Sequence, residues 1–285
     1  MKVVVTGAAG QLGTAMVARF GDHEVVPLTR RDLDLTDPVT VRDRLEVERP
    51  ELLINCAAYN HVDAAETDPL GALQANALAV RSLAQGAARS GAVFVHFGTD
   101  FVFDGRIDRP YREDDPPAPL GVYAWSKLVG EWFAAGAPAH YVLRVESLFG
   151  GLRRRSSIDR IVATLRAGRP ARVFVDRTVS PSYVHDVARA TRELVERQAP
   201  GGLYHCVNSG QCTWHELGME IARLLGVPPD LEPVPMAAVT LPAARPTYAA
   251  LSNARLAAAG VVMPSWQDAL ARHLSQIAQS RPADT

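Results

Sequence analysis

A tyrosine and a lysine four residues apart, Tyr123-Ala-Trp-Ser-Lys127, are the residues of this chain best suited to moving a proton. On a helix that spacing puts both side chains on one face, a turn apart, so an ammonium stands near a phenol. A phenol ordinarily titrates near about 10, and a neighbouring positive charge stabilises the phenolate, so the pair predicts a tyrosine drawn toward neutrality. A hydroxyl joins them from upstream. Gly98-Thr99-Asp100-Phe101-Val102-Phe103-Asp104-Gly105 follows the apolar run Ala92-Val-Phe-Val-His-Phe97, which reads as a buried parallel strand. Ligands of open α/β sheets collect at such strand ends. Taken alone, a Tyr-x-x-x-Lys spacing is equally that of an exposed helix start.

The elements that must position these groups begin at the amino terminus. Lys2-Val-Val-Val-Thr6 is an apolar, β-branched run, followed at once by Gly7-Ala-Ala-Gly10-Gln11-Leu12-Gly13 and an apolar-periodic stretch through Phe20. This is a strand, a glycine turn and a helix whose free N–H groups and positive dipole end suit a pyrophosphate. The spacing is G-x-x-G-x-x-G rather than the general G-x-G-x-x-G. Glu24-Val-Val-Pro-Leu28 reads as the second strand and ends at Thr29-Arg30-Arg31. A carboxylate there would accept bonds from the adenosine ribose and repel a 2′-phosphate, whereas arginine accommodates the phosphate. Arg30 therefore favours NADPH over NADH, with Asp32 and Asp34 close enough to admit NADH, and with ordinary solvated loop charges as the alternative reading of Arg30 and Arg31.

The ordered set of Thr-Gly-x-x-Gly-x-x-Gly, strand-end threonine and Tyr-x-x-x-Lys resembles the extended short-chain dehydrogenase/reductase family. Within it, Gly10-Gln11-Leu12-Gly13, Asn55-Cys-Ala-Ala-Tyr-Asn-His-Val-Asp63 with Ala65-Glu66, and Thr99 to Gly105 are similar to dTDP-4-dehydrorhamnose reductases. The match is specific over residues 1 to 145 and loose beyond. The resemblance implies reduction of a nucleoside-diphosphate 4-keto-6-deoxy sugar, most simply dTDP-4-dehydro-L-rhamnose. In it Tyr123 is the proton donor, Lys127 holds the nicotinamide ribose and Thr99 bonds the keto oxygen. It further implies a cofactor site of Gly7, Gly10, Gln11, Leu12, Gly13, Asp34, Leu35, Ala57, Ala58 and Asn60, with Val62 facing nicotinamide and sugar. Asp100, Phe101, Glu146 and Arg245 fall on the substrate side, and no metal is implied.

One departure bears on the sugar. Where these reductases usually carry Arg-Thr-Ser-Trp after the fifth strand, this chain reads Arg144-Val145-Glu146-Ser147, exchanging a flat apolar wall for a serine beside a carboxylate. Another 4-keto sugar, handled by a reductase or an epimerase, is one alternative. A second is a non-catalytic dinucleotide-binding role, as in the regulatory subunit of methionine adenosyltransferase. Dehydratases tend to carry Asp-Glu after the threonine, and Asp100-Phe101 argues against that chemistry.

Composition narrows the remaining classes. With 285 residues the chain has ample material for a core, and a net charge of −1 gives no footprint for nucleic acid or an anionic membrane. No apolar run approaches the roughly 18 residues of a membrane span, and a strand starting at residue 2 leaves no room for a signal peptide. Three cysteines without ligand spacing predict reduced thiols and a cytoplasmic protein. Ser126 lacks a paired base or a G-x-S-x-G elbow, which argues against a hydrolase nucleophile. None of His140, His185, His205, His215 and His273 has metal-ligand spacing, and all read as structural or surface residues.

The fold class expected is α/β: a Rossmann-type doubly wound parallel sheet over residues 1–150, with a smaller substrate lobe over 151–285 that returns segments to the sheet. Asp37-Pro38 caps a helix to Val47, and Thr213-Trp-His-Glu216 is a capping box. One long helix is expected over 64–89, with Asn76 either holding backbone near the site or facing solvent. Leu152-Arg-Arg-Arg-Ser-Ser157 is expected to be a mobile loop whose arginines either grip a diphosphate or are solvated. A homodimer is also expected.

Overall fold

The computed structural model of the chain describes residues 1–151 and 156–279, so the three arginines read as either gripping a diphosphate or solvated, residues 153–155, lie outside the described residues. The first half runs β1 (Lys2–Thr6), α1 (Gln11–Arg19), β2 (Glu24–Leu28), α2 (Pro38–Glu48), β3 (Leu52–Asn55), α3 (Val62–Ala65), α4 (Pro69–Leu73), α5 (Ala79–Ser90), β4 (Val93–Thr99), α6 (Val122–Ala134) and β5 (His140–Val145). The second half runs β6 (Leu148–Phe149), α7 (Ser157–Arg166), β7 (Ala171–Phe174), β8 (Thr178–Val179), β9 (Ser182–Tyr183), α8 (Val184–Glu196), β10 (Gly202–His205), β11 (Cys212–Thr213), α9 (Trp214–Leu225), β12 (Leu231–Val234), α10 (Ala254–Ala258) and α11 (Trp266–Gln279).

Six parallel strands form one sheet in the order β10-β5-β4-β3-β1-β2, the doubly wound architecture expected. The period-two alternation of side chains along a strand decides which helix covers which face. Val3, Val5, Leu52, Ile54, Val95 and Phe97 share a core with α1 and α8, while Val4, Leu53 and Phe94 pack with α2 and α5 on the other side. A second core, around Ile158, Ile161, Leu217, Ile221 and Leu270, gathers α7, α9 and α11. Strand order reverses between β1 and β3, the place where such sheets leave a crevice at their carboxyl ends.

One result differs from expectation. The helix over 64–89 is broken, because Pro69 lacks an N–H and disfavours helical geometry at the residue before it. Asp68 sits at φ −127° and its carboxylate caps the new start by accepting from Gly71 N at 3.0 Å. Between α4 and α5 the chain makes a π-helical turn, Gln74–Leu78. The strand at the outer edge beside β5 comes from the second half, with Gly202 to His205 pairing with Tyr141 to Arg144.

Candidate active site

The glycine turn is built by close approach. Gly7 has φ +66°, and a Cβ on it would lie 2.6 Å from Ala57 N. A Cβ on Gly13 would lie 2.2 Å from the Gly7 carbonyl oxygen, so α1 can rest on the turn only without a side chain there. No side chain caps α1, which leaves its first-turn N–H groups free of side-chain partners. Where strand order reverses, a cleft of about 680 Å3 opens; Gly7, Gly10, Arg30, Asp34, Leu35, Ala57, Ala58 and Asn60 all line it. Gln11, Leu12 and Gly13 stand behind. Leu12 is buried in the core, and Gln11 Nε2 donates to the Leu148 and Gly150 carbonyls at 3.3 and 2.9 Å.

The cleft floor is tied to the sheet. Asn55 Oδ1 accepts from Thr6 Oγ1 at 2.7 Å and from Ala57 N at 3.1 Å, and Asn55 Nδ2 meets His96 Nδ1 at 3.1 Å. Asn76 does not face solvent. From the π-turn its Oδ1 accepts from Tyr59 N at 2.8 Å, and its Nδ2 donates to Tyr59 O and Ser126 Oγ, both at 3.0 Å. At the end of the cleft beside β2 both neighbouring carboxylates are engaged locally. Asp32 accepts from Thr29 N and Oγ1, and Asp34 from Thr36 N and Oγ1, while Arg30 is exposed.

Thr99 is the last residue of β4, and its Oγ1 donates to Asp100 Oδ1 at 3.0 Å. Opposite it, Glu66 Oε1 accepts from Val122 N at 2.9 Å and fixes the start of α6, so Tyr123 enters in the first turn. The Tyr123 ring is buried, edge-on to Phe101 with centroids 5.6 Å apart, in a small apolar cluster that includes Val62. One turn on, Lys127 is buried and its Nζ donates to Phe97 O at 2.6 Å. Burial pushes the Lys127 pKa down to about 8, against an opposing pull from Glu131. Glu131 is itself held by Arg144, with Nη2 to Oε2 at 2.8 Å. The expected lowering of the Tyr123 pKa is not found. Burial first, and then the charge of Asp100, hold the phenol above its ordinary value. The charges that act on it are the carboxylates of Asp100 and Glu131, while the ammonium is committed to a backbone carbonyl.

Glu146 follows β5 into the interior and its Oε2 accepts from Ser180 N at 2.6 Å. Ser147, where a tryptophan is usual, has φ +44°, a left-handed backbone that disfavours a bulky side chain. Arg245 is paired: Nη1 and Nη2 donate to Asp63 Oδ1 and Oδ2 at 2.9 and 2.8 Å, clamping the C-terminal segment onto α3. One residue had no local sequence signal. Arg177, between β7 and β8, is buried with its guanidinium 5.4 Å from the Phe101 ring centroid and Nη2 3.9 Å from Asp100 Oδ2. Burial raises the Asp100 pKa to about 6 against the pull of Arg177, and burial with the charge of Asp100 holds Glu146 well above the carboxylate range.

Residues 1–279 match the family described as RmlD substrate binding domain. A probable dTDP-4,6-dihydroxy-2-methyloxan-3-one 4-ketoreductase of Streptomyces antibioticus is 38% identical over 95% of this chain and 93% of its own. The dTDP-4-dehydrorhamnose reductase of Mycobacterium tuberculosis is 37% identical, over 99% and 95%. Among solved structures, Bacillus anthracis dTDP-4-dehydrorhamnose reductase in complex with NADP has a TM-score of 0.92 at 30% identity, covering 96% of this chain and 99% of that one. With its glycine turn at the head of a doubly wound sheet and its tyrosine and lysine on one buried helix face, this chain belongs to the RmlD substrate binding domain family, among the extended short-chain dehydrogenase/reductases.

Proposed function

We propose that this protein reduces the 4-keto group of a nucleoside-diphosphate 4-keto-6-deoxy sugar with NADPH, most simply dTDP-4-dehydro-L-rhamnose to dTDP-L-rhamnose. The observation that carries the reading is that Tyr123 and Lys127, buried one turn apart on α6, both reach the end of β4, Tyr123 within hydrogen-bonding reach of Thr99 and Lys127 through its bond to Phe97 O. The cleft suits a dinucleotide, because Gly7 and Gly10 line it at the head of α1, whose first-turn N–H groups no side chain caps. Arg30, exposed at its rim with Asp32 and Asp34 turned onto threonines, suits a 2′-phosphate. When bound, NADPH supplies the hydride.

The chain's own residues handle the oxygen. Tyr123 donates its phenolic proton to the oxygen that gains charge, and Thr99 donates a second bond to it by turning its one hydroxyl proton away from Asp100 Oδ1. Such bonds strengthen as charge develops, which is what makes aimed donors catalytic. A phenol that burial keeps protonated is in the form a reduction requires. Lys127 holds the nicotinamide ribose. Val62 and Phe101 wall the reacting centre through the apolar cluster around Tyr123. In this reading residues 1–150 serve the cofactor and 151–285 the sugar, with Arg245 over the nucleotide sugar.

The relatives named as dTDP-sugar reductases support the substrate class. Free Cys56, Cys206 and Cys212 suit the reducing cytoplasm. A homodimer would cover Trp125 and Trp132, seven residues apart on α6 and 50% and 58% exposed, and light scattering would give its mass. The test of function is a panel of dTDP- and UDP-4-keto sugars with NADPH, followed at the nicotinamide absorbance. Formation of dTDP-L-rhamnose is the expected result. NADPH binding with no turnover anywhere in the panel would overturn it in favour of a dinucleotide-binding regulatory subunit.

A further inference from the structure

Three polar atoms beside the proposed acid have no hydrogen-bond partner among the described residues, although each is buried: Asp100 Oδ2, Glu146 Oε1 and Arg177 Nε. They come from three separate places in the chain, after β4, after β5 and before β8. The side chains that carry them are fixed at their other ends. Asp100 Oδ1 accepts from Thr99 Oγ1, Glu146 Oε2 accepts from Ser180 N, and the Arg177 guanidinium lies over Phe101. Arg177 Nη2 stands 3.9 Å from Asp100 Oδ2, too long for a direct hydrogen bond, and a third oxygen bonded to both enters only as these closed-in side chains part.

We infer that Glu146 and Arg177 are specificity-determining residues which, with Asp100, bind one hydroxyl of the sugar ring, the one on the carbon next to the carbon that is reduced. The inference rests on the reductase reading and adds the feature that the enzyme reads. Thr99 addresses the keto oxygen, and Asp100, hydrogen-bonded to it through Oδ1, is assigned the adjoining ring position. One neighbour of a 4-keto carbon bears the C6 methyl group, and the other, C3, bears a hydroxyl. A hydroxyl donates once and accepts twice. The cluster offers the complement: Asp100 Oδ2 accepts, Arg177 Nε–H donates, and Glu146, on which burial favours a proton, donates from its free oxygen. Phe101 links the two functions, with Arg177 over its face and Tyr123 at its edge. Glu146 thus puts a polar side chain directly beside Ser147. Sites built to hydrogen-bond a substrate hydroxyl discriminate strongly against analogues that lack it, because their own buried groups are then left unpaired.

Calorimetric titration with dTDP-L-rhamnose, its 3-deoxy analogue and dTDP alone tests this without turnover. The parent protein should bind dTDP-L-rhamnose at least tenfold more tightly than either the 3-deoxy analogue or dTDP. Glu146→Leu and Arg177→Met should each abolish most of that difference while leaving the Kd for dTDP and for NADPH within about threefold. Glu146→Gln keeps a donor in place and should retain the preference. Thermal melts and NADPH binding show whether each variant is folded; if Glu146→Leu is not, the analogue pair on the parent and on Glu146→Gln decides. Equal affinity of the parent for the two sugars, or an undiminished preference in folded Glu146→Leu, overturns the subsite. Selective sugar binding without reduction of any keto sugar would instead overturn the reductase reading and leave the subsite standing.

Discussion

Tyr123→Phe removes one oxygen from a ring that packs edge-on to Phe101, so the apolar cluster and the cofactor cleft should survive it. The expected result is an unchanged Kd for NADPH with kcat lower by about 10²-fold or more, the usual worth of a positioned proton transfer; single-turnover reduction beside a binding titration reads both. Lys127→Met should differ by raising the Kd for NADPH as well. Asp100 makes a prediction with a pH sign. Its folded pKa, about 6, lies above its ordinary value of 3.8, so its contribution to stability is fully present below about 3.8 and is lost as pH rises through about 6. Asp100→Asn should therefore raise the Tm by a few degrees at pH 7.5, with no gain near pH 3.5, while impairing reduction. A loss of Tm at pH 7.5 would show that the charge is better paired than its surroundings indicate. Thr99, Tyr123 and Lys127 were legible because their spacing is local: one strand end and one helix turn. Arg177 was not, since only the fold brings it to Asp100. The expected depression of the Tyr123 pKa failed for the same reason, because burial and Asp100 are tertiary facts.

At the scale of elements, the helices with self-contained signals were readable. Asp37 before Pro38 caps α2, and Thr213 with Glu216 forms the capping box of α9. The break at Asp68-Pro69 was obscured by apolar periodicity that continues across it, and the π-turn leaves no mark in composition. That turn has a purpose in the site: it aims Asn76 at both backbone groups of Tyr59 on the cleft rim. Asn76→Leu should cost about 1–3 kcal/mol, the price of leaving buried polar groups unpaired, and should weaken NADPH binding in parallel. Urea unfolding and a cofactor titration measure the two effects, and a stable variant with parental NADPH affinity would contradict this role. The clamp between Arg245 and Asp63 gives another prediction. If Arg245 acts by holding its segment onto α3, the reversed pair Asp63→Arg/Arg245→Asp should recover most of the KM for the sugar nucleotide that Arg245→Asp loses. If Arg245 instead touches the diphosphate, the reversed pair will stay as poor as the single variant.

At the scale of the molecule, residue 150 is not a boundary between folding units. The sheet takes its outer strand, β10, from the second half, and α8 covers the face that α1 also covers. Val184, Val187, Ala190 and Leu194 lie in one core with Val3, Val5, Met16 and Phe20. Arg192 of α8 reaches back to the end of α1, donating to Arg19 O at 2.8 Å and to both oxygens of Asp22 at 2.7 Å. Cutting the chain at 150 would expose that face and leave β5 an open edge, an arrangement that invites aggregation. Burying a large aliphatic side chain contributes roughly 1.5–3 kcal/mol, so losing the α8 side chains alone removes a sizeable part of a typical domain's net stability of about 5–15 kcal/mol. The full chain should therefore unfold in one calorimetric transition, shifted upward as a whole by saturating NADPH, since a ligand that binds only the folded state stabilises everything coupled to it. The fragment 1–150, although it holds every glycine of the turn together with Tyr123 and Lys127, should show no cooperative melt and no NADPH binding. Two separate transitions in the full chain, only the first of them moved by NADPH, would show that the halves fold independently after all.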